Sequence, residues 1–255
     1  MPDLTLAAAQ YSCIAGDLAA NLARHLILMD EAGRQGIDLL LFPELSLTGY
    51  EPQLAAGLAL APDAALLQPL RERARQLRMD TTVGLPIRLP GSTKVLIAAL
   101  TLHGDGRQSL YCKQHLHPGE EKVFSPGTGG AALRYGERRI ALAVCADFAQ
   151  ERHVAAAAEA GAQVYAASVL VSETGYAHDS ALLQGYARRH HLGLLMANHG
   201  GPSGGWTCAG RSAFWGPDGE KVVAAPGVGN CLVLVRASQA GWQGQVVDLP
   251  RLNLG

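Results

Sequence analysis

Cys145 closes the run Leu142-Ala143-Val144-Cys145-Ala146-Asp147, where apolar chain with the character of a buried strand gives way to polar chain. A thiol at such an exit can face a ligand. Glu44 follows Ile37-Asp38-Leu39-Leu40-Leu41-Phe42-Pro43, and Lys113 follows Ser109-Leu110-Tyr111-Cys112, in the same way. A thiol, a carboxylate and an ammonium therefore each stand at a strand edge, where rigid scaffold gives way to loop. Acyl transfer needs these three groups. The carboxylate accepts the thiol proton, the cation favours the thiolate, and the sulfur attacks a carbonyl carbon. Lys113 and the backbone N–H of Ala146 are placed to hold the oxyanion, and Glu44 to return its proton to the departing nitrogen. A thioester remains, and water activated by Glu44 would hydrolyse it. Glu121, in Pro118-Gly119-Glu120-Glu121-Lys122-Val123-Phe124, is expected to orient Lys113 and the substrate; its choice over Glu120 rests on spacing from Lys113.

The elements that must position these groups read as repeated βα alternation. Leu4 to Gln10 is a strand, and Asp17 is the N-cap of a helix with Leu18, Leu22, Leu26 and Met29 at helical spacing, ended by Gly36. A strand through Phe42 delivers Glu44. A second helix carries Leu66, Leu70, Ala74 and Leu77, and Thr81 to Leu85 is again a strand. Val95 to Leu102 and Arg107 to Cys112 flank His103-Gly104-Asp105-Gly106 and predict a hairpin. Arg139 to Val144 bears Cys145, and an Ala-rich helix from Ala149 to Ala160 follows. Gln163 to Ser168, Gly193 to Ala197, Arg211 to Trp215, Lys221 to Ala225 and Cys231 to Val235 are strands, with a helix near Ser180 to His190. About ten strands with few helices predict an α/β fold: a four-layer α-β-β-α sandwich of two mixed sheets with outer helices.

The 255 residues show no linker, charge block, repeat or low-complexity tract, so one domain is expected, with a core from about 4 to 235 and a C-terminal tail from 236 to 255. A net charge of −1 gives no reason to expect nucleic acid or a membrane surface as partner, and leaves a small molecule. Five cysteines without a C-x-x-C pair fit reduced thiols rather than a disulfide framework or a zinc ribbon. The start lacks a secretory pattern and no run reaches the ~18 apolar residues of a membrane span, which points to the cytoplasm.

Three segments, Phe42-Pro43-Glu44-Leu45-Ser46-Leu47-Thr48-Gly49-Tyr50, Tyr111-Cys112-Lys113-Gln114-His115-Leu116 with the following Gly119 to Gly127, and Val144-Cys145-Ala146-Asp147, resemble the nitrilase superfamily, the carbon-nitrogen hydrolases. Ala197-Asn198-His199-Gly200-Gly201, Gly210-Arg211-Ser212-Ala213 and Pro217-Asp218-Gly219 look like further landmarks. The resemblance implies a Glu44-Lys113-Cys145 triad with Glu121 as second glutamate, an αββα fold, homodimers or larger assemblies, and neither metal nor organic cofactor. It implies hydrolysis of a small amide, with N-carbamoyl compounds or nitriles as the alternative. Ala146, Tyr50, Tyr176 and Asn198 are the candidate oxyanion and substrate-binding residues, with Trp206 a further loop aromatic. Two departures stand out. No basic residue follows Cys145 before Arg152, which biases the reading toward neutral amides, and Tyr186-Ala187-Arg188-Arg189-His190 departs from an Arg-Ala-x-Glu-Asn stretch frequent in relatives.

Competing readings exist. His115 and His117 form an H-x-H pair that a metal hydrolase could use, although no further ligands follow at suitable spacing. Gly201-Pro202-Ser203-Gly204-Gly205 matches G-x-S-x-G, but no histidine follows His199 and no helix follows the serine, so it reads as a mobile loop near the site. A binding scaffold that has lost turnover is the non-catalytic alternative.

Overall fold

A strand that is apolar on both faces must be covered on both, and Leu4–Gln10 is of that kind, with all seven residues buried. The computed structural model describes residues 4–249. In chain order the elements are β1 (Leu4–Gln10), α1 (Leu18–Arg34), β2 (Leu39–Leu41), α2 (Pro52–Leu58), α3 (Gln68–Leu77), β3 (Asp80–Ile87), β4 (Leu96–Leu102) and β5 (Gln108–Cys112). There follow β6 (Leu133–Tyr135), β7 (Arg138–Val144), α4 (Glu151–Glu159), β8 (Val164–Ser168), α5 (Tyr176–His190), β9 (Gly193–Ala197), β10 (Ala213–Trp215), β11 (Lys221–Ala224), β12 (Cys231–Ser238) and β13 (Gly241–Asp248). Asp17 caps α1 through a 2.9 Å bond from the Ala20 N–H, satisfying one of the free donors of the first turn.

One sheet has the order β13-β12-β1-β2-β3-β4-β5 and the other β11-β10-β9-β8-β7-β6. Both are mixed: β1-β2-β3 and β7-β8-β9 are parallel, and the remaining pairings are antiparallel. The two-residue period of each strand sorts its side chains between layers. Leu6, Ala8, Leu39 and Leu41 from one sheet meet Leu142, Val144, Ala166 and Leu195 from the other in a shared apolar layer. The opposite faces, Ala7, Ala9 and Leu40 on one side and Ala143, Tyr165 and Ala167 on the other, lie under α1 with α3 and under α4 with α5 respectively. The expected α-β-β-α layering is thus present, with parallel strand ends from the two sheets brought side by side.

The strand count rises to thirteen among the described residues because β6 is only three residues long and β13 has almost no apolar alternation. Residues 236 to 248, expected as tail, instead extend β12 to Ser238 and form the edge strand β13, whose backbone pairs along the whole of β12. The rest of that tail, 250 to 255, lies outside the described residues. The helix α2 was not expected: only Ala55 of it is buried, so it has no apolar stripe to read.

Two contacts set where β2 ends. Ser168 Oγ at the end of β8 donates to Phe42 O at 2.7 Å, tying the sheets together just before Glu44. Beyond Phe42 the chain crosses so close over β3 that a Cβ at Gly84 would lie 2.3 Å from Pro43 O and 2.5 Å from Leu45 N. Gly84→Ala is therefore expected to destabilise the fold by about 1–3 kcal/mol, since backbone rather than a flexible side chain must yield. Chemical denaturation of the variant beside wild type measures this; an unchanged midpoint would contradict the close packing.

Candidate active site

Glu44 is delivered by strain as well as by strand. Leu45, directly after it, has φ +51°, a left-handed conformation that costs a branched residue about 1–2 kcal/mol. The segment is held there by hydrogen bonds to β3: Gly84 N donates to Ser46 Oγ at 3.0 Å and Leu47 N to Gly84 O at 2.9 Å. From the other sheet, His199 Nε2 lies 2.8 Å from Glu44 O. A carbonyl can only accept, so the proton sits on Nε2, and burial holds the ring neutral by lowering its pKa to about 4.

Lys113 follows β5 and is fully buried. Its Nζ donates to Glu44 Oε1 at 2.6 Å and to Glu120 Oε1 at 2.8 Å. Glu120 gathers two more donors: Tyr50 OH on Oε1 at 2.8 Å and His117 N on Oε2 at 2.8 Å. The glutamate that bonds Lys113 is therefore Glu120 and not Glu121, the residue expected to orient it, which is exposed and accepts from Gly119 N at 2.7 Å. The two belong to one 3-10 turn, Glu120–Lys122, entered through Gly119 at φ +99°. In such a turn residues three apart share a face, and Val123, which packs on the inter-sheet core, is the signal that points Glu120 inward.

Cys145 directly follows β7 with φ +43° and opens a 3-10 turn, Cys145–Asp147. Asp147, buried, fixes that turn. Its Oδ2 accepts from Val144 N at 3.1 Å and Tyr111 OH at 2.7 Å, and its Oδ1 accepts from Gln114 N at 3.0 Å and His115 N at 2.8 Å. One carboxylate thus joins the turn bearing the thiol to the segment bearing Lys113. Asp147 was part of the quoted motif, but its role depends on long-range partners that spacing does not reveal.

The electrostatics distinguish the groups. Burial is the largest influence on Glu44 and raises its pKa to about 7; the Lys113 ammonium opposes this and the charge of Glu120 adds to it. Glu44 Oε2 is buried and has no hydrogen-bond partner. Burial works against the Lys113 ammonium, yet Glu44, Cys145 and Glu120 together outweigh it and hold Lys113 protonated above its ordinary range. Burial and then Glu44 push the Cys145 thiol well up, with Lys113 opposing only in part. The cation thus favours the thiolate only in part: burial and the Glu44 charge favour the neutral thiol, next to a carboxyl with one free oxygen.

Glu44, Glu120, Cys145, Ala146 and Tyr50 open on one cavity of about 250 Å³, walled further by Phe148, Leu170, His117, Asp179 and Trp206. Two expected substrate contacts lie elsewhere. Asn198 is fully buried and spends its side chain on backbone, bonding Val171 N at 2.8 Å, Val171 O at 3.0 Å and Gly210 O at 2.8 Å. Tyr176 sits at the start of α5 with its OH 3.3 Å from Arg211 O and the Arg211 guanidinium over its ring, outside the cavity wall. In the Gly201 to Gly205 segment, expected to be a mobile loop, Ser203 is buried and its Oγ accepts from Tyr50 N at 2.8 Å, so it positions Tyr50. His115 Nδ1 lies 3.0 Å from Asp147 Oδ1 while His117 borders the cavity. Among the described residues no group of three or more His, Cys, Asp or Glu is placed to hold a metal ion, and no helix is long and apolar enough to cross a membrane.

Comparison with known proteins bears on this arrangement. Residues 5–241 match the carbon-nitrogen hydrolase family. An (R)-stereoselective amidase from a Pseudomonas species is 28% identical over 221 residues, covering 82% of this chain and 76% of its own. Among solved structures, an amidase from Nesterenkonia sp. AN1 in complex with acrylamide superimposes with a TM-score of 0.85 at 29% identity, covering 94% of each chain. A second structure of that amidase, with the acetamide moiety of fluoroacetamide added covalently at the active-site cysteine, gives a TM-score of 0.85 at 30% identity over 93% of this chain and 91% of its own.

The charge pattern makes a pH prediction. A carboxyl titrating at about 7 is protonated below that value and cannot take the thiol proton, so alkylation of Cys145 by iodoacetamide should slow as pH falls through 7. Glu44→Gln should remove this limb. Peptide mass mapping of the alkylation rate reads the outcome, and an identical profile in the variant would contradict the assignment.

Proposed function

The chain belongs to the carbon-nitrogen hydrolase family, and from that premise we propose that it hydrolyses short amides through a thioester on Cys145, with Glu44 as the base and Lys113 as the fixed cation. One observation carries the reading: Glu44 Oε2 is buried without a partner, in the same cavity as the Cys145 thiol, while Oε1 is held by Lys113. An orphaned carboxylate oxygen next to a proton donor is poised for transfer.

As Cys145 Sγ bonds to the amide carbon, its proton passes to Glu44 Oε2 and the carbonyl π pair moves onto oxygen. The oxyanion faces Lys113 and the N–H of Ala146, preorganised donors that need not reorient as charge develops. Collapse breaks the C–N bond, and Glu44 delivers its proton to the nitrogen, so ammonia leaves and the thioester stays. Water then adds to the thioester carbon, giving its proton to Glu44. Collapse of that intermediate breaks the C–S bond, and the proton on Glu44 returns to sulfur to regenerate the thiol with the carboxylic acid product.

Glu120 serves as a positioning residue. It gives Lys113 a second carboxylate contact besides Glu44 and accepts from Tyr50 OH at the cavity. A volume of about 250 Å³ suits a short acyl chain, and the Nesterenkonia amidase to which the chain is similar has been solved with butyramide and with acrylamide bound. Assembly as a homodimer or larger, which the family resemblance implies, belongs to the same reading.

Ammonia release from butyramide tests the proposal. Cys145→Ala should lower kcat by about a thousandfold or more. Exchanging the two neighbouring glutamates separates their roles: Glu120→Gln should cost roughly ten- to hundredfold in kcat/KM, whereas Glu121→Gln should stay within about twofold. Fluoroacetamide should add one acetamide moiety at residue 145, seen by intact mass and absent in Cys145→Ala. Full turnover in Cys145→Ala would overturn the mechanism.

A further inference from the structure

The cavity that holds Cys145 carries a charge it does not itself neutralise. Asp179, in the first turn of α5, forms part of its wall, with the side chain partly buried. Among the described residues its carboxylate makes no hydrogen bond or ion pair; its electrostatic neighbours are His178 and His117. Lys113 cannot serve it, because that ammonium is engaged by Glu44 and Glu120. No arginine or other lysine is among the residues that wall the cavity.

The carboxylate is also packed into place. A Cβ on Gly175, one turn earlier, would lie 3.5 Å from Asp179 Oδ2 and 3.3 Å from Ser172 Oγ, so the chain passes close beside the carboxylate oxygen. Trp206, 43% exposed, borders the same cavity with its ring edge-to-face against His117 at 6.3 Å. A carboxylate without a partner and an indole on one small cavity is the chemistry that takes an ammonium group.

This inference rests on the amidase reading above and narrows it: we propose that Asp179 receives a positively charged amine on the acyl part of the substrate, so that the preferred substrates are short amides bearing an ammonium group. The hydrolysed amide lies at Cys145 and the ammonium at Asp179, with Trp206 beside it. Anionic amides are disfavoured because the wall offers them Glu44, Glu120 and Asp179 and, among the described residues, no lysine or arginine. The ordinary alternative is that Asp179 only favours the N-terminal turn of α5 through the helix dipole. That role would not discriminate between substrates, and this makes the two separable.

The test uses matched pairs of equal size: glycinamide with propionamide, β-alaninamide with butyramide, and 4-aminobutanamide with pentanamide, assayed near neutral pH by steady-state ammonia release. Wild type should favour the amine of at least one pair by roughly ten- to hundredfold in kcat/KM, mainly through a lower KM, as expected for one charge-assisted hydrogen bond. Asp179→Asn should bring that ratio toward one by raising KM for the amine, and Asp179→Glu should keep a preference. A wild-type ratio of one or below for every pair, or a ratio unchanged in Asp179→Asn, would overturn the proposal. Turnover of the neutral amides by wild type, lost in Cys145→Ala, reads the amidase assignment separately. If no amide is turned over, protection of Cys145 from iodoacetamide still decides: stronger protection by the amine of a pair supports Asp179, and equal protection by both members refutes it.

Discussion

The ammonium of Lys113 stands 2.6 Å from Glu44 Oε1 and 2.8 Å from Glu120 Oε1, with essentially no solvent on any of the three side chains. One cation cannot balance two buried carboxylates, and the surroundings divide them unequally. Glu120 has Tyr50 and His117 N–H as additional donors, whereas Glu44 has one oxygen bonded to Lys113 and one bonded to nothing. The shortfall therefore falls on Glu44, where burial outweighs the cation and brings the pKa to about 7. A carboxyl pushed up by environment while its partner is supplied with donors is how two acidic groups acquire different tasks. Such a triad is no source of stability: removing the cation alone would leave two uncompensated buried charges, at a cost of about 3–5 kcal/mol.

Holding that arrangement requires strain that the sheets supply. Leu45 and Cys145, beside or at the reacting groups, both occupy left-handed backbone that branched or substituted residues avoid. Neither is held by its own segment. Gly84 admits the close crossing next to Glu44, Ser168 ties β2 to the facing sheet, and Asp147 bonds the Cys145 turn to the residues after Lys113. The four layers thus do more than bury apolar surface. They bring the ends of β2, β5 and β7, remote in sequence, onto one cavity and fix the direction of each side chain.

Much of this was legible in residue order, because period-two and period-3.6 patterns are local. β1 and β9 match their expected bounds, Asp17 caps the helix it was expected to cap, and Glu44 and Cys145 border one cavity with Lys113 bonded to Glu44. What failed was decided at longer range. Glu120 and Glu121 are neighbours of one residue type, and only the turn entered through Gly119 settles which points inward. Asn198 stands in a motif near the site, yet its amide is consumed by backbone that only the folded chain brings to it. The edge strand β13 is polar and glycine-containing, so it carried no alternation to read and is recruited by the free edge of β12. His199, which holds the Glu44 carbonyl, shows its function only once the two sheets face each other.

The state of the Glu44 carboxyl is the most direct gauge of the whole account. Carbon-13 NMR of protein labelled at glutamate carboxyls should show one resonance titrating near pH 7, absent from Glu44→Gln and shifted to still higher pH in Lys113→Met, where the opposing cation is gone. If the resonance assigned to Glu44 instead titrates near the ordinary value of 4.5, or is indifferent to the loss of Lys113, the buried charge balance described here does not exist in solution.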